Sequence, residues 1–349
     1  MKKVNVFNPL VCTLVAASLS LSVLPAQSAE QTMKISTFVP PTHLLSPIIR
    51  DLANDLTDAS NGEVAFDIYE AEALGKAIEH LDLAIEGLAD ISLACTLYTP
   101  SRFPLSLMFE LPFFAESAEV SNKVAQAILN AGLLDGEMQE FEPFILFTTA
   151  PAQVFSNKKL VKKEDFEGLR IVGLGPVWTR TWSLLGAQGV NMGWPDIYLA
   201  LERGAIDATP GNWAASDGWK WQEVVEYPTD ISVMGGFFCG AFMNKDSWAS
   251  LSPETQEKWR AVAANYAPRM SKAYDERDEV ARNIWREAGR TIVQFPPDER
   301  LRVAEATLPI WQDWVADNEA AGRPAQRMYD VYVETMEALG QTVVMQLPD

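Results

Sequence analysis

The chain is short of histidine and cysteine, with two and three respectively in 349 residues. Neither His43 nor His80 has a second histidine or a cysteine close by. No metal-ligand spacing therefore exists, and no metal or cofactor is expected. Both histidines read as structural or surface residues. Also missing are the G-x-S-x-G elbow, the H-E-x-x-H pair and the G-x-x-x-x-G-K-[ST] loop, each the sign of a common hydrolytic or phosphate-binding chemistry. Gly173-Leu174-Gly175 invites a dinucleotide reading, but the third glycine of that fingerprint falls at Trp178. No catalytic activity is expected.

Positive charge is scarce: 28 Lys and Arg against 47 Asp and Glu leave a net charge of −19. Such a surface argues against nucleic acid and anionic membranes as partners. Lys2 and Lys3 precede the apolar run Val11–Leu24, then Pro25 and the small residues Ala26, Ser28 and Ala29. Residues 1–29 thus read as a cleaved secretory signal. Its removal takes two lysines and no acids, giving −19 − 2 = −21 over the remaining 349 − 29 = 320 residues, enough for two domains. No later stretch is long and apolar enough to span a membrane. Cys12 falls in the signal, and Cys95 and Cys239 can form one disulfide or remain two buried thiols.

Turn residues and short apolar runs organise what is left. Leu169–Val172, Val190–Met192 and Ala205–Thr209 read as strands, with helices over Val177–Leu185 and Pro195–Glu202 between them. The second helix has Pro in its first turn and Gly204 just past its end. Strands linked this way lie parallel, and ligands sit beyond their carboxyl ends. The first half repeats the pattern with strands Lys34–Phe38, Glu63–Tyr69 and Asp90–Ala94, and helices Leu45–Ala59 and Ala77–Glu86. Two α/β lobes facing each other across a cleft follow. Phe144–Thr149 and Gly235–Met243 read as strands crossing between them, with hinges near Thr149–Gln153 and Phe237–Ala241. A long helical pattern, Thr255–Ala288, either spans both lobes or bends near Pro268, and helical stretches run on through Ala321 and over Ala325–Leu339.

Eleven tryptophans are many. Trp194 and Trp213 lie in Gly/Pro/Asn loops at strand ends and are read as pocket residues. Trp182, on one helix face with Trp178, is read as packing.

At this point the chain resembles the DctP-type substrate-binding proteins of tripartite ATP-independent periplasmic (TRAP) transporters. The resemblance is carried by EDFEGLRI and LGAQGVNMGWPDIYLALERGAIDA, supported by SNGEVAFDIYEAEALG, ELPFF and MNKDSWASLSPETQEKW. It covers nearly all of the chain after the signal. It implies a two-lobed periplasmic binding protein fold with a central ligand cleft, hinge strands and a long C-terminal helix. Lobe one would take 30–150 plus about 240–280, and lobe two 151–239 plus about 281–349. It also implies delivery of a small solute from the periplasm to membrane permease subunits, and the protein is expected to be a monomer.

The departures bear on the solute. The arginine that the family places after G-L-[KR]-I to fork onto a ligand carboxylate is Val172 here, and a second arginine of the sialic-acid members is Ala152. Cys95 and Phe38 stand where those members place an acid and an asparagine. A bidentate anchor is thereby lost. The expected ligand is a small cationic or neutral polar solute, with an ethanolamine- or choline-like amine favoured, because aromatic faces attract ammonium groups. The expected site is Phe38, Glu72, Tyr98, Gln153, Trp178, Trp194, Asn212 and Trp213. The alternatives are a small carboxylate held by a displaced arginine, Arg180 or Arg102, and a secreted α/β enzyme.

Overall fold

The computed structural model describes residues 31–348, so the expected signal lies outside the described residues. Its strands are β1 (Gln31–Thr37), β2 (Val64–Tyr69), β3 (Ile91–Cys95), β4 (Glu142–Thr148), β5 (Ala152–Ser156), β6 (Arg170–Val172), β7 (Gln188–Val190), β8 (Ala208–Gly211), β9 (Tyr227–Met234), β10 (Phe238–Met243) and β11 (Val293–Gln294). They form two sheets, ordered β2-β1-β3-β10-β4 and β11-β9-β5-β8-β6-β7. β1 pairs parallel with β2 and β3, and β6 parallel with β7 and β8, as the turn punctuation predicts. Helix Leu45–Ala59 buries Leu45, Ile48, Ile49, Leu52 and Leu56, the three-and-four spacing of one apolar face.

The chain passes from the first sheet to the second between β4 and β5, and returns between β9 and β10. The second passage is narrower than the sequence reading has it, since the strand begins at Phe238 and not at Gly235. Gly235 and Gly236 fill the gap because nothing larger fits: a Cβ on either would stand 2.0 Å from a carbonyl oxygen, of Phe109 and of Thr149 respectively. The two passages therefore touch backbone to backbone.

The predicted long helix is two helices, Pro253–Ala263 and Tyr266–Glu287. The break falls at Ala264-Asn265. The break lies just ahead of Pro268, where the sequence places a bend: Pro268 has no N–H to give the carbonyl of Ala264 four residues back and its ring crowds that carbonyl, so the helix restarts at Tyr266 with the proline in its first turn. Helix Tyr266–Glu287 ties the two halves together with carboxylates. Asp275 accepts the N–H groups of Ala118 (2.8 Å) and Glu119 (2.9 Å), at the start of helix Ala118–Asn130 beside the first sheet. One turn later Asp278 accepts Ala214 N–H (3.0 Å), in helix Trp213–Gly218 beside the second. Helices Pro297–Ala320 and Ala325–Ala338 complete the chain, close to their expected bounds.

Candidate functional site

The loops at the strand ends of both sheets converge on a cavity of about 340 Å³. Phe38 reaches it from the end of β1 and Tyr98 from the turn after β3, with their rings edge to face at 5.8 Å. Trp194 comes from the first position of the helix after β7 and stacks on Trp221 at 5.8 Å. Phe237 enters from the passage between β9 and β10, Trp219 from the loop after helix Trp213–Gly218, and Tyr274 from helix Tyr266–Glu287. With Phe147 from β4, seven phenylalanine, tyrosine and tryptophan side chains thus wall the space. Cys95 and Cys239, paired across β3 and β10 and joined as a disulfide, form part of the lining. The sequence left that pairing open.

Among the described residues that line the cavity, none is an arginine or a lysine. Val172, at the family's arginine position, is fully buried at the end of β6, and its carbonyl accepts the indole N–H of Trp182 (3.0 Å). Arg180 lies at the surface and pairs with Asp313. Arg102 pairs with Asp82 (2.6 Å) and Glu140 (3.8 Å). Neither arginine lines the cavity.

The polar groups of the lining are neutral, apart from Glu72. That residue is exposed, in a left-handed turn (φ 61°), and its carboxylate accepts Ala77 N–H (2.9 Å). His43 Nδ1 accepts the N–H of Leu45 (3.2 Å), which leaves the ring proton on Nε2. Burial pushes its pKa down to about 4, so the ring stays uncharged at neutral pH. Asn212 caps helix Trp213–Gly218: its Oδ1 accepts Ala215 N–H (2.7 Å), leaving its NH₂ donors for the cavity. Burial raises the phenols of Tyr98 and Tyr274, so both remain protonated.

Of the expected site residues, Phe38, Glu72, Tyr98, Trp194 and Asn212 line this cavity, and Gln153, Trp178 and Trp213 do not. Gln153 serves the sheet. The pairing of β5 with β9 slips between Ala152 and Val154, and Gln153 Oε1 accepts the N–H groups of Ile231 (2.8 Å) and Ser232 (2.7 Å) there. Trp213 turns toward the second sheet, against Phe155 at 5.3 Å, with the Arg282 guanidinium over its ring at 4.6 Å. Trp178 stands one layer behind the wall. It stacks on Phe237 at 5.3 Å and donates its indole N–H to Glu110 (3.2 Å). Glu110 is buried, its Oε1 has no partner, and burial pushes its carboxyl up to about 8.

His43, Trp219, Phe237 and Tyr274 were missed. His43 was read as structural or surface, a reading that suits His80, which is held between Ser92 Oγ (3.2 Å) and the Gly75 carbonyl (3.1 Å). Only Trp219 carried a usable signal: its loop follows a β-α-β unit, like that of Trp194.

The family described as bacterial extracellular solute-binding protein, family 7 (DctP) matches residues 35–318. The C4-dicarboxylate-binding periplasmic protein DctP of Rhodobacter capsulatus is 25% identical over 302 residues, covering 84% of this chain and 89% of that one. A marine metagenome TRAP solute-binding protein specific for aromatic acids, solved with 3-hydroxybenzoate, superposes with a TM-score of 0.82 at 25% identity, over 89% of this chain and 99% of that chain. A TRAP solute-binding protein from Rhodoferax ferrireducens, solved with copurified benzoate, gives 0.81 at 22% identity, over 88% and 98%.

Proposed function

Because the chain belongs to the DctP family of TRAP solute-binding proteins, which are transport receptors and not enzymes, we propose that its cavity takes a small aromatic carboxylic acid in the periplasm, after export on residues 1–29, and presents it to a TRAP permease. The observation that carries this reading is the wall of Phe38, Tyr98, Trp194, Trp219, Phe237 and Tyr274 around about 340 Å³. Flat rings stack on such walls with a gain of about 0.5–1.5 kcal/mol per pair beyond their area burial. Relatives of the same fold were solved with 3-hydroxybenzoate and with benzoate, which supports an acid as the head group. Neither Arg180 nor Arg102 lines the cavity, which favours an anchor other than a displaced arginine. Hydroxyl, amide and imidazole donors take its place.

An ethanolamine- or choline-like amine is the second reading, favoured by Glu72 and by the lack of arginine and lysine in the lining. It is the weaker one. An ammonium needs acceptors or a counter-charge, and Glu72 is exposed and already engaged with Ala77.

Thermal unfolding with benzoate, 3-hydroxybenzoate, phenylacetate, succinate, ethanolamine and choline tests the choice. A ligand at 100 times its Kd stabilises by about 2.7 kcal/mol, readily seen as a shift in Tm. Aromatic acids are expected to give that shift, and Trp194→Ala to reduce it. Stabilisation by ethanolamine or choline, with none by the aromatic acids, would overturn the proposal.

A further inference from the structure

Two polar side chains of the cavity are locked as donors by the backbone. His43 Nδ1 is occupied by Leu45 N–H (3.2 Å), so its other ring nitrogen can only donate. Asn212 Oδ1 is occupied by Ala215 N–H (2.7 Å), so its free atom is the NH₂. They sit on opposite sides: His43 precedes helix Leu45–Ala59 of the first sheet's layer, and Asn212 follows β8 of the second. Beside His43, the Tyr274 ring lies edge to face at 6.3 Å and brings a protonated hydroxyl from helix Tyr266–Glu287.

From this we infer that His43 and Asn212 are specificity-determining residues: a locked donor pair, one from each lobe, that selects a solute by an acceptor head group held between them. This deepens the aromatic-acid reading and rests on it. The pair disfavours an ammonium head by hydrogen-bond polarity, without any positive charge, since Asn212 Oδ1 keeps only one lone pair against its two N–H donors. Because its donors are neutral, it accepts an uncharged carbonyl head as well as a carboxylate.

Asn212→Asp tests the pair with little risk to folding, since aspartate caps a helix as well as asparagine does. One carboxylate oxygen keeps Ala215 N–H, and the other turns a donor into a charged acceptor. Titration calorimetry with benzoate, benzamide and benzylamine reads the result. The wild type is expected to bind benzoate and benzamide and to reject benzylamine. The variant is expected to lose about 10- to 100-fold in benzoate affinity, the range for a hydrogen bond to a charged group, and to gain benzylamine binding. His43→Phe, which keeps an aromatic ring and removes the donor, should weaken benzoate without admitting benzylamine.

A wild type that prefers benzylamine to benzoate, or an Asn212→Asp variant within twofold of wild type on benzoate, would overturn the donor pair and leave the aromatic site standing. A wild type that binds none of the three would overturn the aromatic reading and the pair with it.

Discussion

Glu110 offers a direct measurement of what a buried acid behind the cavity wall does to the whole protein. Its carboxyl is 1% exposed, and burial moves its pKa from 4.5 to about 8, with the Trp178 N–H working the other way. Below the ordinary pKa both folded and unfolded chains hold the proton, so the group costs nothing. Between about 4.5 and about 8 the unfolded chain ionises while the folded one does not, and stability falls as pH rises. The slope is about 1.4 kcal/mol per pH unit, accumulating to about 5 kcal/mol across that interval, against a total stability of about 5–15 kcal/mol for such proteins. Glu110→Gln keeps a carbonyl for the Trp178 indole and abolishes the titration. Urea unfolding followed by tryptophan fluorescence, at several pH values from 5 to 8, should show the wild type losing ground to the variant at close to that slope. Asp278, which burial also pushes up to about 8, titrates in both proteins and cancels in the difference. Parallel curves for wild type and variant would refute this, showing that the Glu110 carboxyl ionises in the folded protein as it does in the unfolded chain.

Two further predictions concern the disulfide of the first sheet and the close passage between the sheets. The Cys95–Cys239 disulfide closes a loop with a sequence separation of 144, so the chain-entropy estimate for its removal is about 5 kcal/mol; unfolding with and without reductant should show a large drop in the urea midpoint, and an unchanged midpoint would refute it. Gly236→Ala places a Cβ 2.0 Å from the Thr149 carbonyl oxygen, a backbone clash that should cost about 1–3 kcal/mol and force the two passages apart. X-ray scattering should then give a larger radius of gyration than wild type, and superposable curves would count against the close passage as the hinge.

The parallel β-α-β units were legible because local signals mark them: Gly204 ends one helix, Ser60-Asn61-Gly62 another, and Pro opens several. The strand-end loops were legible for the same reason, and they supplied Phe38, Glu72, Tyr98, Trp194 and Asn212 to the cavity lining. The sequence could not tell Trp213 from Trp194. Both begin helices after strands, but the second sheet lies under Trp213 and the cavity lies in front of Trp194. Side-chain direction at a first helical position is set by what the helix packs on, which is a tertiary fact. Tyr274 was hidden for a related reason: it sits inside a 22-residue helix with no local peculiarity, and faces ligand space only because Asp275 and Asp278 fasten that helix to both halves.

His43 marks the deeper limit. A lone histidine carries no ligand-binding signal, and its role here depends on one backbone N–H fixing which ring nitrogen is protonated. The same holds for Asn212, whose cap decides which end of its amide is left toward the cavity. Where the family places an arginine, a positive charge written in the sequence, this chain buries Val172. On the proposed reading a head group is held by neutral dipoles instead, and their polarity is assigned by backbone hydrogen bonds. If that reading holds, loss of the arginine does not require a change of ligand sign. A carboxylate can be held by fixed donors when the protein supplies their orientation in advance, because the reorganisation that water would need has been done in folding.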